Sequence, residues 1–335
     1  MAKKRILILG GGLSGLSVAW YLQKKGIDCQ IFEKESEVGG LCRSKKIGGF
    51  TFDYDGHLLH FRHNNTLRFI KNLLGNNLVK HKRNAEIFSF ERFSRFPFQS
   101  NLYGFPKPVI EECLEGFIKA HHDGYRKKKT DSFGDWINRQ LGPGIAKHFM
   151  IPYNTKFWTI LPQKLTCEWV DGFISVPSLE EMIEGTIKES KINLGYNAFF
   201  WYPKRGGINE FPLALAGQLK NIFTSCEVTK IDLTNKRIKL ANGSEERFDL
   251  LLSTLPLPEL PFLIKDIPEK INSVFKKLRW NSIFNINLGT EREAGYARHW
   301  IYFPEKDFCF FRVGFPHSFS HSIVPKGKGS LYIEV

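Results

Sequence analysis

The N-terminal glycine cluster constrains the fold of this chain more than any other stretch. Residues 6–9 are all apolar and predict a short buried parallel strand, and residues 16–25 carry apolar side chains at helical spacing. Between them, Gly10, Gly12 and Gly15 have the G-x-G-x-x-G spacing. In a strand–turn–helix unit, the first glycine permits the tight turn, the second lets backbone approach a pyrophosphate, and the third lets helix and strand pack closely. The start of the chain therefore predicts a dinucleotide-binding unit.

The residues that follow extend this unit. A second apolar strand at residues 29–32 ends at Glu33, eighteen residues after Gly15, where a carboxylate would accept hydrogen bonds from ribose hydroxyls. The helix N-terminus offers unpaired N–H groups and the positive end of the helix dipole to phosphates. The cofactor-binding candidates in this unit are Gly10, Gly12, Leu13, Ser14, Gly15, Glu33 and Lys34.

A second glycine pair lies just beyond the second strand. Gly39 and Gly40 are followed by Leu41 and then, two residues later, by Arg43. Adjacent glycines favour another close backbone approach to the same cofactor, with Arg43 near its phosphates. The alternative is a surface loop with a solvated arginine. All four residues are candidates for the cofactor site.

Helix signals are also clear in two later stretches. Residues 66–75 have the apolar spacing of an amphipathic helix. Residues 133–141 predict another helix, with Asp131 and Ser132 as its N-cap region. We expect this helix to end at Gly142, because a glycine and a proline follow one another there.

The composition indicates a globular protein with one large domain or two. The chain has 335 residues, of which 42% are hydrophobic, so a sizeable core can form. It has no apolar run of eighteen residues, and its short basic and apolar start is not a signal peptide, so we expect a cytoplasmic protein. The six cysteines are scattered without a C-x-x-C pair, which favours reduced thiols over disulfides or a zinc site.

The net charge of +14 is open to three interpretations. It fits a surface for nucleic acid or an anionic membrane, an enzyme for phosphorylated or carboxylated substrates, or a lysine-rich solvated surface. The cations form short clusters, such as residues 80–83, and no recognition helix or RNA-binding motif surrounds them, so we expect no nucleic-acid partner. Peripheral membrane contact has no support beyond the charge. His57 and His60 have a spacing also found in metal sites, but no nearby cysteine or H-E-x-x-H pattern supports a metal.

Three segments together resemble a known family. In chain order they are GGGLSGLSVAWYL, FEKESEVGGLCRS and FDYDGHLLHF. They are similar to the FAD-binding start of the flavin amine oxidase superfamily, which includes protoporphyrinogen oxidase-like proteins, phytoene desaturase-like proteins and UDP-galactopyranose mutases. The resemblance is specific over residues 6–60 and looser over most of the remaining chain. It implies FAD as the cofactor, with Gly39 and Gly40 on its flavin side and with His57 and His60 among its binding residues.

The resemblance extends to a wall for the substrate. The segment FMIPYNTKFW is similar to a mutase segment that helps to hold the nucleotide part of a sugar nucleotide. Tyr153 and Trp158 offer flat faces for a ring, and Lys156 offers a cation for a phosphate. Arg312 aligns with an active-site arginine of the mutases. Gly172 departs from the pattern, since sugar-nucleotide mutases place an arginine at the corresponding position.

A further glycine turn and two strands resemble other parts of the cofactor domain. Gly206 and Gly207 belong to a Tyr-Pro-x-x-Gly-Gly turn before a helix, and the superfamily has such a turn close to the flavin ring. Glycine lets the backbone N–H groups approach the reactive edge of that ring. The alternative is a helix-start turn without a ligand. Residues 227–231 and 248–254 resemble the return of the chain to the FAD domain, where the backbone of Val228 would contact the adenine.

The predicted fold class is α/β, with a Rossmann-type FAD-binding domain and a discontinuous substrate domain of helices and a mostly antiparallel sheet. The resemblance assigns residues 1–85 and 201–256 to the FAD-binding domain and residues 86–200 and 257–335 to the substrate domain. Members of the superfamily have a further C-terminal segment that closes over the flavin. No counterpart follows in this sequence, so we expect either a truncated chain or an incomplete FAD site.

The function implied by the resemblance is that of an FAD-dependent oxidoreductase, in which a hydride passes from a substrate carbon to flavin N5. The catalytic residues stay unknown, since the superfamily often needs no catalytic base. The first alternative is a mutase reaction, in which reduced flavin N5 attacks the anomeric carbon of a sugar nucleotide without net redox change. The second is a non-catalytic or truncated flavoprotein. We expect a small-molecule substrate, in the mutase case a sugar nucleotide, and the sequence does not predict the oligomeric state.

Overall fold

This computed structural model describes residues 4–124, 131–189, 195, 197–294 and 298–335. The strands in these residues are β1 (Ile6–Leu9), β2 (Gln30–Phe32), β3 (Ser44–Ile47), β4 (Phe50–Asp53), β5 (Leu78–Lys82), β6 (Ala85–Ser89), β7 (Arg92–Arg95), β8 (Phe199–Pro203), β9 (Ile222–Phe223), β10 (Val228–Asp232), β11 (Arg237–Leu240), β12 (Glu245–Arg247), β13 (Leu250–Ser253), β14 (Asn285–Thr290), β15 (Trp300–Tyr302), β16 (Arg312–Gly314) and β17 (Gly329–Glu334). The helices are α1 (Leu13–Lys24), α2 (Asn64–Leu74), α3 (Lys107–Asp123), α4 (Phe133–Ile145), α5 (Ile151–Trp158), α6 (Leu179–Ile187), α7 (Glu210–Ala216), α8 (Leu260–Leu263) and α9 (Glu269–Phe275). Within the described ranges, no helix combines the length and the apolar character needed to cross a membrane.

A four-stranded parallel sheet, in the order β13-β1-β2-β9, carries the first glycine turn. In β1, Ile8 pairs with Ile31 of β2 on one side and with Leu252 of β13 on the other. Helices α1 and α7 pack against one face of this sheet, and the antiparallel sheet β10-β11-β12 packs against the other. Because both faces are covered, β1 is apolar along its whole length. The predicted Rossmann-type unit is confirmed.

The other large sheet of the protein has six strands, in the order β14-β17-β16-β15-β6-β7. Its neighbours are antiparallel except for β15 and β6, where Trp300 pairs with Ala85 in parallel. Helices α3 and α4 pack against each other beside it, and their apolar side chains share one core with the sheet. The predicted discontinuous unit of helices and a mostly antiparallel sheet is therefore confirmed. The residue numbers of the domain boundaries stay predictions.

The cap and the break predicted for the helix that begins at Phe133 both occur in the structure. Ser132 caps α4 as predicted, because its side chain accepts a hydrogen bond from Asp135 N and the Asp135 side chain accepts one from Ser132 N. The predicted break at Gly142 is confirmed, since its φ and ψ of 83° and 163° lie outside helical geometry. Gly142 has a φ of 83° and kinks the helix, but the chain then resumes helical geometry and continues through a π-helical turn at Ala146–Met150 into α5. A Cβ at Gly142 would lie 2.3 Å from the backbone carbon of Gly116 in α3, so the kink lets the two helices approach.

Candidate functional site

A cavity of about 770 Å³ opens at the carboxyl ends of β1, β2 and β13. In open α/β sheets, ligands bind outside this edge. Eleven of the predicted cofactor residues line the cavity, namely Gly10, Gly12, Leu13, Ser14, Glu33, Lys34, Gly39, Gly40, Leu41, Arg43 and Val228. The fold thus brings three separate stretches of sequence to one place.

The first glycine turn forms the floor of this cavity. Gly10 has a φ of 98°, and a Cβ there would lie 2.6 Å from Thr254 Oγ1. Thr254 in turn donates a hydrogen bond of 2.9 Å to Leu9 O, which ties β13 to the end of β1. At Gly15, a Cβ would lie 2.0 Å from Gly10 O. Gly15 therefore packs α1 against β1 and does not line the cavity.

The two glycine segments meet at Gly12. Gly39 N donates a hydrogen bond of 2.9 Å to Gly11 O, and Gly12 and Gly39 form an isolated parallel bridge. A Cβ on Gly40 would lie 3.2 Å from Gly12 Cα, so the two backbones run in close contact. Within the described part of the chain, no side chain caps the N-terminus of α1 beside this contact. The N–H groups of its first turn are therefore available to an anion in the cavity.

Glu33 lies at the end of β2 with only 7% of its surface exposed. Its Oε2 accepts a hydrogen bond of 2.6 Å from Gly11 N, and its Oε1 accepts one of 3.0 Å from Glu35 N. A carboxylate has about four lone-pair sites. The two backbone donors thus fix the Glu33 side chain and leave accepting capacity for ribose hydroxyls.

Arg43 lies in the cavity wall and is held from two sides. Its Nε donates a hydrogen bond of 3.1 Å to Gly40 O, and its Nη1 lies 3.1 Å from Glu35 Oε2. Its guanidinium also lies 5.2 Å from the centre of the Tyr54 ring. Since a guanidinium carries five N–H donors, these contacts orient Arg43 and leave donors for a ligand.

Other cavity residues were not singled out from the sequence. They are Leu9, Phe32, Glu35, Cys42, Cys226, Glu227, Thr254, Leu255, Pro256, Glu259, Phe262 and Leu263. Thr254 directly follows β13, so its place at the end of a parallel strand is a signal that could have found it. Phe262 and Leu263 reach the cavity from α8 and carry no such local signal. Burial raises the pKa of Cys42 to about 11, so its thiol stays protonated at neutral pH.

The remaining cofactor candidates lie outside the lining of this cavity. Besides Gly15, they are His57, His60, Gly206 and Gly207. Gly207 has a φ of 79° and packs against Asp53, since a Cβ there would lie 2.8 Å from Asp53 Oδ1. His60 Nδ1 lies 3.2 Å from Phe199 O, and burial lowers the pKa of His60. Contact between these residues and a cofactor stays a prediction.

The residues of the predicted substrate wall are half-buried and make contacts within the protein. Tyr153 stacks on Phe149, with 5.4 Å between the ring centres, and burial raises its pKa. The Trp158 ring packs edge-on against Trp169 at 5.7 Å. Lys156 Nζ donates to three backbone carbonyls in residues 303–310, at 2.9, 2.5 and 2.9 Å. The three N–H donors of its ammonium are thereby used within the protein.

Arg312 is paired with the buried Glu334 and lies near the half-buried Asp55. Its Nε and Nη2 donate to the two oxygens of Glu334, and Nη2 lies 3.9 Å from Asp55 Oδ1. Burial raises the pKa of Glu334 to about 8, and the Arg312 charge opposes that shift. Gly172, by contrast, has a φ of 77°, and within the described ranges no atom lies within 4 Å of a Cβ added there. The structure therefore gathers Arg312 with Glu334 and Asp55 and does not place Gly172 in that cluster.

A model of one protein family matches nearly the whole chain. The family is described as flavin containing amine oxidoreductase, and the match covers residues 13–324. The chain belongs to this family. The family resemblance drawn from the three N-terminal segments is therefore confirmed, and with it the prediction of a flavin-dependent protein.

The similar proteins include both oxidoreductases and a mutase. The zeta-carotene-forming phytoene desaturase of Myxococcus xanthus is 42% identical over 99% of this chain and 72% of that protein. Protoporphyrinogen oxidase of Dictyostelium discoideum is 24% identical over 85% of this chain and 66% of that protein. Among solved structures, that of reduced UDP-galactopyranose mutase superposes with a TM-score of 0.90 at 27% identity, over 99% of this chain and 74% of that one. The chain thus spans roughly two thirds of the length of these curated relatives.

Proposed function

We propose that this protein is an FAD-dependent oxidoreductase in which a hydride passes from a substrate carbon to flavin N5. One observation carries the proposal, which is the cavity of about 770 Å³ where two glycine segments meet beside the open N-terminus of α1. Family membership supports a flavin as the ligand. The strand–turn–helix unit that ends at Glu33 supports FAD, the dinucleotide, as that flavin.

The cavity residues fit the parts of FAD by their chemistry. The N–H groups of Leu13 and Ser14 in the first turn of α1 would hold the pyrophosphate. The free lone pairs of Glu33 would accept from a ribose, the backbone of Val228 would face the adenine, and Arg43 would place its remaining donors near the phosphates. Bound flavin supplies the two-electron acceptor. The protein's part is to bind it, to orient it and to keep water from its reactive edge.

The substrate is proposed to be a small organic molecule that loses hydrogen from carbon. The names of two relatives, a phytoene desaturase and a protoporphyrinogen oxidase, support this class of reaction. We name no catalytic residue, because the cavity residues with a displaced pKa are a protonated thiol, Cys42, and the ion pair of Glu35 with Arg43.

A second candidate function is the mutase reaction on a sugar nucleotide. The superposition on reduced UDP-galactopyranose mutase at a TM-score of 0.90 favours it. The contacts of the two predicted cations speak against it, because Lys156 is bound by three carbonyls and Arg312 by two carboxyl groups. A diphosphate would have to displace these partners, and Gly172 supplies no replacement charge. We therefore place the mutase reaction second.

The proposed organisation keeps the boundaries drawn from the sequence. Residues 1–85 and 201–256 would form the FAD-binding domain, and residues 86–200 and 257–335 the substrate domain. The parallel pairing of β6 with β15 supports joining the last two stretches. A cytoplasmic location and the lack of a nucleic-acid partner are likewise proposals that rest on the sequence.

The test is anaerobic reduction of the flavin in the purified full-length protein. Polyenes, porphyrinogens and amines are added separately, and loss of the oxidised flavin absorbance by one of them is the expected result. A matched sample in which the flavin is first reduced with dithionite, then given UDP-galactopyranose and followed by sugar analysis, tests the mutase reaction. Absence of reduction by every class, together with isomerisation of the sugar nucleotide, would overturn the oxidoreductase proposal. Bound flavin without either reaction would support the non-catalytic alternative.

A further inference from the structure

The half-buried carboxyl group of Asp53 joins the glycine pair Gly39–Gly40 in the cavity wall to the glycine pair Gly206–Gly207 in the turn before α7. Asp53 ends β4 and accepts hydrogen bonds from three donors. Ser44 Oγ lies 2.6 Å from its Oδ1, Tyr202 Oη lies 2.5 Å from its Oδ2, and Ile208 N lies 3.2 Å from its Oδ1. Burial raises the pKa of Asp53, and these hydrogen bonds oppose that shift.

The donors come from both sides of the site. Ser44 directly follows Arg43 and so continues the cavity wall into β3. Tyr202 precedes the turn that contains Gly206 and Gly207, and Ile208 directly follows it. The Asp53 carboxyl group therefore accepts hydrogen bonds from the residue that follows the cavity wall and from residues on both sides of the Gly206–Gly207 turn.

The turn is also fitted sterically to this carboxyl group. A Cβ on Gly207 would lie 2.8 Å from both Asp53 Oδ1 and Ser44 Oγ. Asn209 N donates a further hydrogen bond of 3.2 Å to Ser44 Oγ. On the cavity side, a Cβ on Gly39 would lie 3.4 Å from Asn209 Oδ1. Gly39 of the cavity wall and Gly207 of the turn thus pack against one hydrogen-bonded cluster, formed by Asp53, Ser44 and Asn209.

We propose that Asp53 is a positioning residue for the flavin, an inference that rests on the proposed function. Its carboxylate fixes the turn at Gly206 and Gly207 relative to the wall at Gly39 to Arg43, so that both segments contact one cofactor. Asp53 itself does not line the cavity and acts through the backbone that it holds.

The test compares Asp53→Asn with a matched buried control in the full-length protein. Asparagine keeps the shape of the side chain but cannot carry a negative charge, and it turns one acceptor oxygen into a donor, so a hydroxyl that now donates to that oxygen must accept instead. We expect the dissociation constant of FAD to rise about tenfold, since hydrogen bonds to charged groups are stronger than neutral ones. We also expect a changed midpoint potential and visible circular dichroism of the bound flavin. These spectroscopic readouts respond to the position of the ring and not to stability alone.

The control variant is Asp131→Asn. Asp131 is a buried carboxylate just before α4, paired with Arg139 of that helix and outside the cavity lining. It should lower the thermal midpoint while the flavin affinity, potential and circular dichroism stay at wild-type values. If Asp53→Asn does not fold, Tyr202→Phe decides, because it removes one donor to Asp53 and keeps the ring contact with Phe319.

The outcomes separate this inference from the proposed function. Wild-type flavin affinity, potential and circular dichroism in the foldable variants of Asp53 and Tyr202 would overturn the positioning role alone. Failure of the wild-type protein to bind FAD would overturn the proposed function and the inference with it. Weakened binding with an altered potential in these variants, and unchanged values in Asp131→Asn, would support both.

Discussion

Two substitutions in the first glycine turn should separate cofactor binding from folding. At Gly12, the φ of −72° and ψ of 177° suit any residue, and a Cβ would meet only Gly40 Cα at 3.8 Å. At Gly15, a Cβ would lie 2.0 Å from Gly10 O, which is backbone and cannot move without shifting α1 from β1. Gly12→Val therefore places its side chain in the cavity, whereas Gly15→Ala forces two packed elements apart.

The magnitudes follow from these contacts. Gly12→Val should cost about 1 kcal/mol of unfolding free energy in the apo-protein, because valine is a poorer N-cap than glycine. It should weaken FAD binding about a hundredfold, since blocking two hydrogen bonds from α1 to a phosphate at about 1.5 kcal/mol each removes about 3 kcal/mol. Gly15→Ala should cost about 3 kcal/mol or more of stability through overpacking.

The assay pairs urea unfolding of the apo-protein with titration of FAD by fluorescence quenching. Wild-type protein and Gly217→Ala, a change near the end of α7 with ordinary van der Waals contacts, serve as controls. Normal FAD affinity in Gly12→Val would contradict phosphate binding at the N-terminus of α1. An unfolding midpoint of Gly15→Ala equal to that of the wild type would contradict the close packing of α1 on β1 at Gly15.

Three further predictions concern groups away from the cavity. Burial lowers the pKa of His299 from 6.5 to about 4, so the unfolded chain binds the proton first and stability should fall by up to about 3 kcal/mol as the pH drops from about 6.5 to 4. His299→Gln should remove this part of the slope in urea unfolding at several pH values, and a slope equal to the wild type would contradict it. Lys156→Met should lower stability by about 1–3 kcal/mol because three carbonyls in residues 303–310 lose their donor, and an unchanged unfolding curve would count against that role. Ser132→Ala should cost about 1 kcal/mol by removing the cap of α4, to be checked against Ser132→Thr, which keeps the hydroxyl.

Local patterns predicted the two glycine segments and Glu33, which line the cavity at the ends of β1 and β2. The glycine spacing, the apolar strand and Glu33 all lie within one short stretch, and their chemistry depends on neighbours a few residues away. The cap at Ser132 is predictable for the same reason, because its partner Asp135 is three residues along. Such features need no knowledge of the distant chain.

The contacts of the predicted substrate residues depend on distant partners. The sequence predicted that Arg312 binds the substrate. In the structure its guanidinium contacts Glu334 of β17 and Asp55 of the loop after β4, which are far away in the sequence. Lys156 was likewise predicted as a cation for a phosphate, but its ammonium donates hydrogen bonds to backbone carbonyls about 150 residues further along the chain. The break of the helix at Gly142 was predictable from the local glycine and proline, but the resumption of helical geometry directly after it, packed against α3, was not.

The central claim is that the cavity at the ends of β1 and β2 binds FAD, and the visible absorption spectrum of the purified full-length protein tests it most directly. The account predicts flavin absorption bands in the wild type, release of FAD on denaturation, and loss of the bands in Gly12→Val. A colourless wild-type protein that stays colourless after incubation with FAD and removal of the excess would contradict the account.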